Sequence, residues 1–182
     1  MRDKSKQFSK NIIKTKVIST PLADMVAAAI KDGIVMFSFY EKYHIEAYLE
    51  KLKDHFDAEV IPSEDRYFDI LKMQIDEYFL GKRKEFTIPL KLIGSSFQIS
   101  VWKELLNIPY GQTISYKAQA TNIGKDKAYR AVANANGQNM IDIIVPCHRV
   151  IGSDGKLHGY GAGVDKKEFL LNLEKQNLIN FL

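Results

Sequence analysis

Apolar positions recur along this chain with two different periods, and the switches between them mark out its elements. From residue 17 the pattern is strand-like. "VISTPLADMVAAAI" and "KDGIVMFSFY" read as two strands, and the Asp32-Gly33 pair between them is the signal of a tight hairpin turn. The period then lengthens: in "IEAYLEKLKDHF", Ile45, Leu49, Leu52 and Phe56 fall on one helical face. A second helix is predicted through "RYFDILKMQIDEYFLG", with Ser63 as its cap and Gly81 as its stop. "EFTIPLKLIG" reads as extended chain and is the predicted linker between domains. The first dozen residues carry no pattern and read as a mobile basic tail, 1–12.

Beyond the linker the pattern predicts short helices. "SSFQISVWKELLNI" sets Phe97, Val101 and Leu105 at four-residue spacing behind a serine cap, and "PYG" at 109–111 ends that helix. "SYKAQATNIGKDKAYRAVANANG" reads as two helices, roughly 115–122 and 126–136, with a turn at Gly124 and caps at Ser115 and Asp126. The short turn and the alanines at 118, 120, 128, 131, 133 and 135, which permit close approach, suit a helix-turn-helix. An ordinary helical hairpin fits the pattern equally well. A last helix opens with the box Asp165-Lys166-Lys167-Glu168 and runs through Phe169, Leu170 and Leu173. The fold class expected is α+β: a small N-terminal α/β domain over 1–92, with an antiparallel sheet and helices, followed by a mainly helical domain over 93–182.

Composition narrows the classes. With 182 residues, 46% of them apolar, the chain can build one generous core or two small ones. No run approaches the ~18 apolar residues of a membrane span, and the charged N-terminus lacks the apolar block of a secretory signal. A cytoplasmic protein with no membrane association is expected. A single cysteine excludes an internal disulfide framework, and His44, His55, His148 and His158 show no structural zinc spacing, so no metal is expected. The net charge of +4 is uneven: +5 over residues 1–16, −4 over 17–92 and +3 over 93–182. The basic C-terminal half suits a polyanion such as nucleic acid, although many solvated faces carry as much charge.

The only cysteine, Cys147, lies in "IVPCHRVIG" beside His148 and Arg149. A lone cytosolic cysteine is ordinarily a small buried hydrophobe. An adjacent base and cation alter that reading, because thiolate is the reactive form and both neighbours could favour it. Adjacent residues of a strand point to opposite faces, so Cys147 and His148 meet only if Pro146 lies in a turn or a water bridges them. A histidine acting as base needs a third group to fix its tautomer. Glu174, among the apolar positions of the last helix, is one of seven acidic residues in this half, and its ordinary reading is a solvated helical glutamate.

Taken together, "SSFQISVWKELLNIPYGQTISY", "KAYRAVANANGQN", "IIVPCHRVIGSDGKLHGYGAG" and "KKEFLLNLE", in this order and spacing, closely resemble the O6-alkylguanine-DNA alkyltransferases. The resemblance is dense over 94–175, with Pro-Cys-His-Arg-Val as its most specific motif, and loose over 17–92. It implies direct DNA repair by a single-turnover protein. Cys147 accepts the alkyl group from O6 of guanine, His148 is a water-bridged base, Glu174 orients His148, Asn139 holds the active-site turn, and Tyr116 assists departure of guanine. It implies further that a winged-helix-like helix-turn-helix binds double-stranded DNA containing O6-alkylguanine in the minor groove. Arg130 would enter the stack where the base is flipped out, and Tyr129, Ala131, Ala133, Ser115 and Lys127 would lie at the DNA surface. The base pocket implied is Val150, Tyr160, the backbone N–H near Gly161, and Lys167. No cofactor is implied, and a monomer is expected.

"HGYGAG" lacks the G-x-G-x-x-G order and the βαβ setting of a dinucleotide loop. Two departures from the family pattern stand out. Tyr129 occupies a position usually held by a smaller residue, and no cysteine near the N-terminus could serve the zinc site of some members. Two rival readings remain at this level. A Cys-His-Glu hydrolase would turn over an acyl thioester, and a helix-turn-helix regulator would carry Cys147 incidentally.

Overall fold

The computed structural model describes residues 11–40 and 45–179. Its N-terminal half is built on a four-stranded sheet: β1 (Asn11–Ser19), β2 (Asp24–Ile30), β3 (Gly33–Phe39) and β4 (Ala58–Pro62), in the order β3-β2-β1-β4. The hairpin expected at Asp32-Gly33 joins β2 to β3, with Gly33 in a left-handed conformation at the start of β3. "VISTPLADMVAAAI" is not one strand but the end of β1 plus β2, because Thr20 turns the chain by accepting from the amides of Leu22 and Ala23 and donating to the Ala23 carbonyl. Asn11 and Ile12, expected in the mobile tail, begin β1, and the rest of that tail lies outside the described residues. The sheet is mixed rather than antiparallel: β4, which the pattern did not suggest, pairs parallel to β1.

Both faces of the sheet are covered. Val26 and Ala28 of β2 point toward α1 (Ile45–Phe56), where Tyr48 and Leu52 are buried. Met25, Ala27 and Ala29 point the other way, toward α2 (Arg66–Phe79) and the C-terminal half. Such two-sided cover accounts for the nearly continuous apolar run of β3, all of whose residues are buried. The cap of α2 is Asp65, whose carboxylate accepts from the Tyr67 amide, and not Ser63. Gly81, at positive φ, follows the helix end as expected.

The outer edge of β3 is not free. The Ile34 amide donates to the Pro89 carbonyl, and the Lys91 amide to that of Ile34, each at 2.9 Å. The predicted linker is thus laid along β3. Gly33 permits the approach, since a Cβ there would strike the Pro89 backbone. Farther along, the Phe37 amide donates to the Met140 carbonyl at 2.9 Å, and Asp142 donates back to Phe37 at 2.7 Å.

The C-terminal half is mainly helical. Helix α3 (Ser96–Leu105) has a capping box in which Ser95 and Gln98 satisfy each other's backbone amides. Strand β5 (Ile114–Ser115) leads into α4 (Tyr116–Asn122), capped by Ser115, and Gly124 at positive φ ends that helix. Helix α5 (Tyr129–Gly137) starts three residues later than expected, at an Ala128 cap without a side-chain hydrogen bond, so Asp126 caps nothing. A 3₁₀ turn (Cys147–Arg149), strand β6 (Val150–Ile151), paired parallel to β5, and α6 (Val164–Ile179) complete the chain. Because α6 begins at Val164, Asp165 lies inside its first turn and the expected capping box is out of register. One hydrophobic cluster runs through both halves, from Phe37 and Phe68 to Trp102, Val132 and Cys147. The fold is α+β, a sheet domain followed by helices. Among the described residues no helix is long and apolar enough to cross a membrane.

Candidate active site

Cys147 opens the 3₁₀ turn, 5% exposed. Pro146 leads into the turn at ψ 64, so Cys147 and His148 are not alternating strand residues. One side-chain amide bonds the preceding segment at several points. Asn139 Nδ2 donates to the carbonyls of Val145 (2.9 Å) and Ile141 (3.3 Å) and to Cys147 Sγ (3.3 Å), while its Oδ1 accepts from the Ile141 amide (3.0 Å). Ile143 within this segment has φ 71, a left-handed conformation that a β-branched residue adopts only under constraint from its surroundings. A donor on sulfur favours thiolate over thiol.

His148 is fully buried, and its Nε2 lies 2.9 Å from Glu174 Oε1. A carboxylate there must be met by N–H, so the proton sits on Nε2 and Nδ1 presents its lone pair. Nδ1 is buried with no hydrogen-bond partner among the described residues. Burial lowers the His148 pKa; the hydrogen bond and charge of Glu174 pull it upward, and Arg149 and Lys167 push it down again. The ring is therefore neutral near pH 7 and able to accept a proton.

Glu174, completely buried on α6, also accepts from Tyr78 Oη (2.8 Å), the Gly111 amide (2.8 Å), and Nε and Nη2 of Arg149 (both 3.0 Å at the shortest). Burial alone would raise its pKa, but hydrogen bonds and charge from His148 and Arg149 outweigh that and hold it at about 2. Arg149 Nη1 donates to the Ile108 carbonyl (2.7 Å), and the guanidinium lies over the Tyr110 ring. It is thus the counter-ion of Glu174, correcting the expectation that it activates the thiol directly. Sequence reasoning missed Tyr78 and Gly111 as partners of Glu174. The signal was present in "PYG", read only as a helix stop: Gly111 sits at φ 73, with its amide turned into the carboxylate, and a Cβ there would strike Leu178.

Around the thiol stand Lys167 and Tyr160, expected in the base pocket, and Tyr116, expected to assist the leaving guanine. Lys167, fully buried, donates to the carbonyls of Val150 (2.6 Å) and His158 (3.1 Å) and to Tyr116 Oη (3.4 Å), tying the 152–161 loop to β6. Burial lowers its pKa, and charge on Cys147 opposes that. The Tyr116 hydroxyl is raised by burial and then by Cys147. Tyr160 is raised well above the ordinary range by burial, then by the Asp142 carboxylate and by Cys147. Val150 is buried, while Gly161 is exposed at the loop's end.

A cleft of about 890 Å³ lies between that loop and α5, lined by Tyr116, Tyr129, Arg130, Ala133, Tyr160 and Gly161 of the expected residues. Tyr129 is 44% exposed, with the Arg130 guanidinium 5.7 Å from its ring centre. Ser115 caps α4, and Ala131 and Lys127 are exposed outside the cleft. Missed by sequence reasoning were Gln138, Asp154 and His158, the last 3.1 Å from Asp154 Oδ1. Among the described residues no cluster could hold a metal ion.

Residues 96–176 match the family described as 6-O-methylguanine DNA methyltransferase, DNA binding domain, and residues 13–92 match its ribonuclease-like domain. The chain belongs to the O6-methylguanine-DNA methyltransferase family. A methylated-DNA–protein-cysteine methyltransferase of Methanosarcina barkeri is 44% identical over 162 residues, 89% of this chain and 97% of that relative. The inducible enzyme of the same name from Bacillus subtilis is 42% identical over 83% of each chain. The crystal structure of Mycobacterium tuberculosis OGT in complex with DNA superposes with a TM-score of 0.77 at 39% identity, covering 91% of this chain and 94% of that one. The family's fold thus extends to the N-terminal half, where the sequence resemblance alone was loose.

Proposed function

We propose that this methyltransferase repairs DNA by transferring the alkyl group from O6 of guanine to Cys147, once per molecule. The observation that carries the reading is the buried chain of groups behind a single thiol: Asn139 on Sγ, His148 with a free Nδ1, and Glu174 fixing the His148 tautomer. The thiol proton passes through a water to Nδ1, where the imidazolium is balanced by Glu174. Sγ then attacks the alkyl carbon in line, the S–C bond forms, the C–O6 bond breaks, and its electron pair leaves with guanine, which the Tyr116 hydroxyl assists by hydrogen bonding. The product is a thioether that no group in this site can cleave.

The target carbon is shielded within a duplex, so the nucleotide must be extruded, at roughly a few kcal/mol. The cleft beside α5 is where we place it, with Tyr160, Val150 and the Gly161 amide as its walls and Lys167 holding the loop closed. Helices α4 and α5 act as a helix-turn-helix, with β5 and β6 as a small wing, presented to the minor groove. Arg130 enters the stack, and Tyr129, Ala131, Ala133, Ser115 and Lys127 border the DNA. Residues 1–92 and 93–182 form two domains of a cytoplasmic monomer that needs no cofactor. Support for DNA as partner comes from the matched DNA-binding domain and the DNA complex of the mycobacterial relative.

Replacing Cys147 by Ser tests the assignment. A hydroxyl's far higher pKa leaves almost no anion, so Cys147→Ser should bind an O6-methylguanine duplex as wild type does and transfer nothing. Transfer by the serine variant at a comparable rate would end the reading.

A further inference from the structure

Within the apolar run of β3 one residue is polar. Ser38 is completely buried, and its hydroxyl donates a 2.7 Å hydrogen bond to Oδ2 of Asp142, itself 1% exposed. The pair joins the N-terminal sheet to the segment that carries Asn139 and Cys147. The main chain crosses at the same place, through the two hydrogen bonds between Phe37 and residues 140 and 142. That bridge is short, and a bridge of this kind does not by itself specify register, since backbone groups repeat along a strand. A buried side-chain pair does specify it, because a slip would take the Ser38 donor away from a desolvated carboxylate.

Displacement at Asp142 would not stay local. The Ile144 amide donates to the Asp142 carbonyl, Val145 to Ile141, and Cys147 to Val145, at 2.9, 3.1 and 2.8 Å. These tight turns, with the left-handed Ile143 between them, pass any shift at Asp142 directly to the thiol. Asp142 also acts on Tyr160, whose hydroxyl its charge raises after burial has done so.

We propose that Ser38 is a positioning residue for the thiol, acting through Asp142: their hydrogen bond sets the register of the 139–147 segment on β3 and so the placement of Cys147 against Asn139 and His148. The inference rests on Cys147 being the alkyl acceptor, and it makes the N-terminal sheet part of the reacting site.

The test uses free O6-benzylguanine, read by saturating rate and half-saturation concentration, alongside iodoacetamide labelling of the sole cysteine across pH. Ser38→Ala should lower the saturating rate about tenfold, the scale expected of a small misplacement, with half-saturation and duplex affinity unchanged. It should also move the labelling midpoint to higher pH. Asp142→Asn keeps an oxygen for Ser38 and should react nearly as wild type. Asp142→Ala should match Ser38→Ala, and the double variant should be no slower than either, the non-additivity of one shared interaction. An unchanged rate and labelling profile in Ser38→Ala would overturn the proposal, as would additive losses in the double variant. If wild type transfers no methyl from an O6-methylguanine duplex but the labelling midpoint still shifts in Ser38→Ala, the positioning role stands and the repair reading falls.

Discussion

Donors from four residues, Tyr78, Gly111, His148 and Arg149, converge on the Glu174 carboxylate, and at the scale of residues this convergence governs both stability and chemistry. Glu174→Gln keeps the shape but leaves Arg149 as a buried cation without its counter-charge. Denaturant titration should show a loss of about 3–5 kcal/mol, and the transfer rate should fall without vanishing, since the amide oxygen can still orient His148. Transfer at the wild-type rate would remove Glu174 from the relay. The pH dependence follows from the same groups. With a folded pKa of about 2 against 4.5, Glu174 contributes stability that is fully present above pH 4.5 and is lost as pH falls toward 2. The shift corresponds to roughly 3 kcal/mol. His148, lowered below 6.5 by burial, takes its proton more readily in the unfolded chain, so stability also erodes as pH drops below 6.5. Stability measured from pH 7 to 2 should decline through both windows in wild type, and Glu174→Gln should lack the lower one. The family motif identified His148 and Glu174, whereas helical pattern alone hid Glu174: the buried stripe of α6 is Lys167, Leu170 and Glu174, two charges around one leucine. Arg149 was misjudged because adjacency in sequence says nothing of which face a turn presents.

At the scale of elements, local chemistry was legible where it is self-contained. The β2–β3 hairpin, α1, the Ser95 and Ser115 caps and the glycine stops after α2 and α4 all depend on neighbours within a turn. Strand β4 was not, because a five-residue edge strand whose partner lies 47 positions away, as in Asn11 against Ala58, has no local signature. The start of α5 shifted for a related reason: Lys125 is used to close α4, donating to the Ala120 carbonyl, and Ala128 in turn donates to Lys125, so Asp126 falls within the connecting turn. Helix α5 carries the prediction that belongs to this scale. Arg130, exposed at the cleft, should serve only a base that must leave a stack. Arg130→Ala should slow repair of duplex DNA by about 10- to 100-fold while leaving reaction with free O6-benzylguanine unchanged. Removal of a general phosphate contact would instead weaken all duplex binding and shallow its salt dependence by about one ion. Rates on both substrates at two salt concentrations separate these cases, and equal losses on both would withdraw the role assigned to Arg130.

At the scale of the molecule, one continuous apolar cluster and a covered β3 edge join what the sequence pattern divides at a linker. "EFTIPLKLIG" reads as a spacer because what holds it comes from elements distant in sequence: backbone hydrogen bonds to β3, the Gln74 side chain on Thr87 and Ile88, and core contacts of Ile88 and Ile93 that follow no regular period. The N-terminal sheet therefore supports the thiol-bearing segment, while the cleft proposed for the base lies beside α5. The central claim concerns the fate of one sulfur atom, and the intact mass of the protein reports it directly. After incubation with a duplex containing a single O6-methylguanine, every protein molecule should gain one methyl in place of the thiol hydrogen. The gain should map to Cys147, saturate at one per chain, and leave unmodified guanine in the DNA. An unchanged mass, or methyl loss from DNA continuing beyond one equivalent of protein as a turning-over hydrolase would give, would contradict the account.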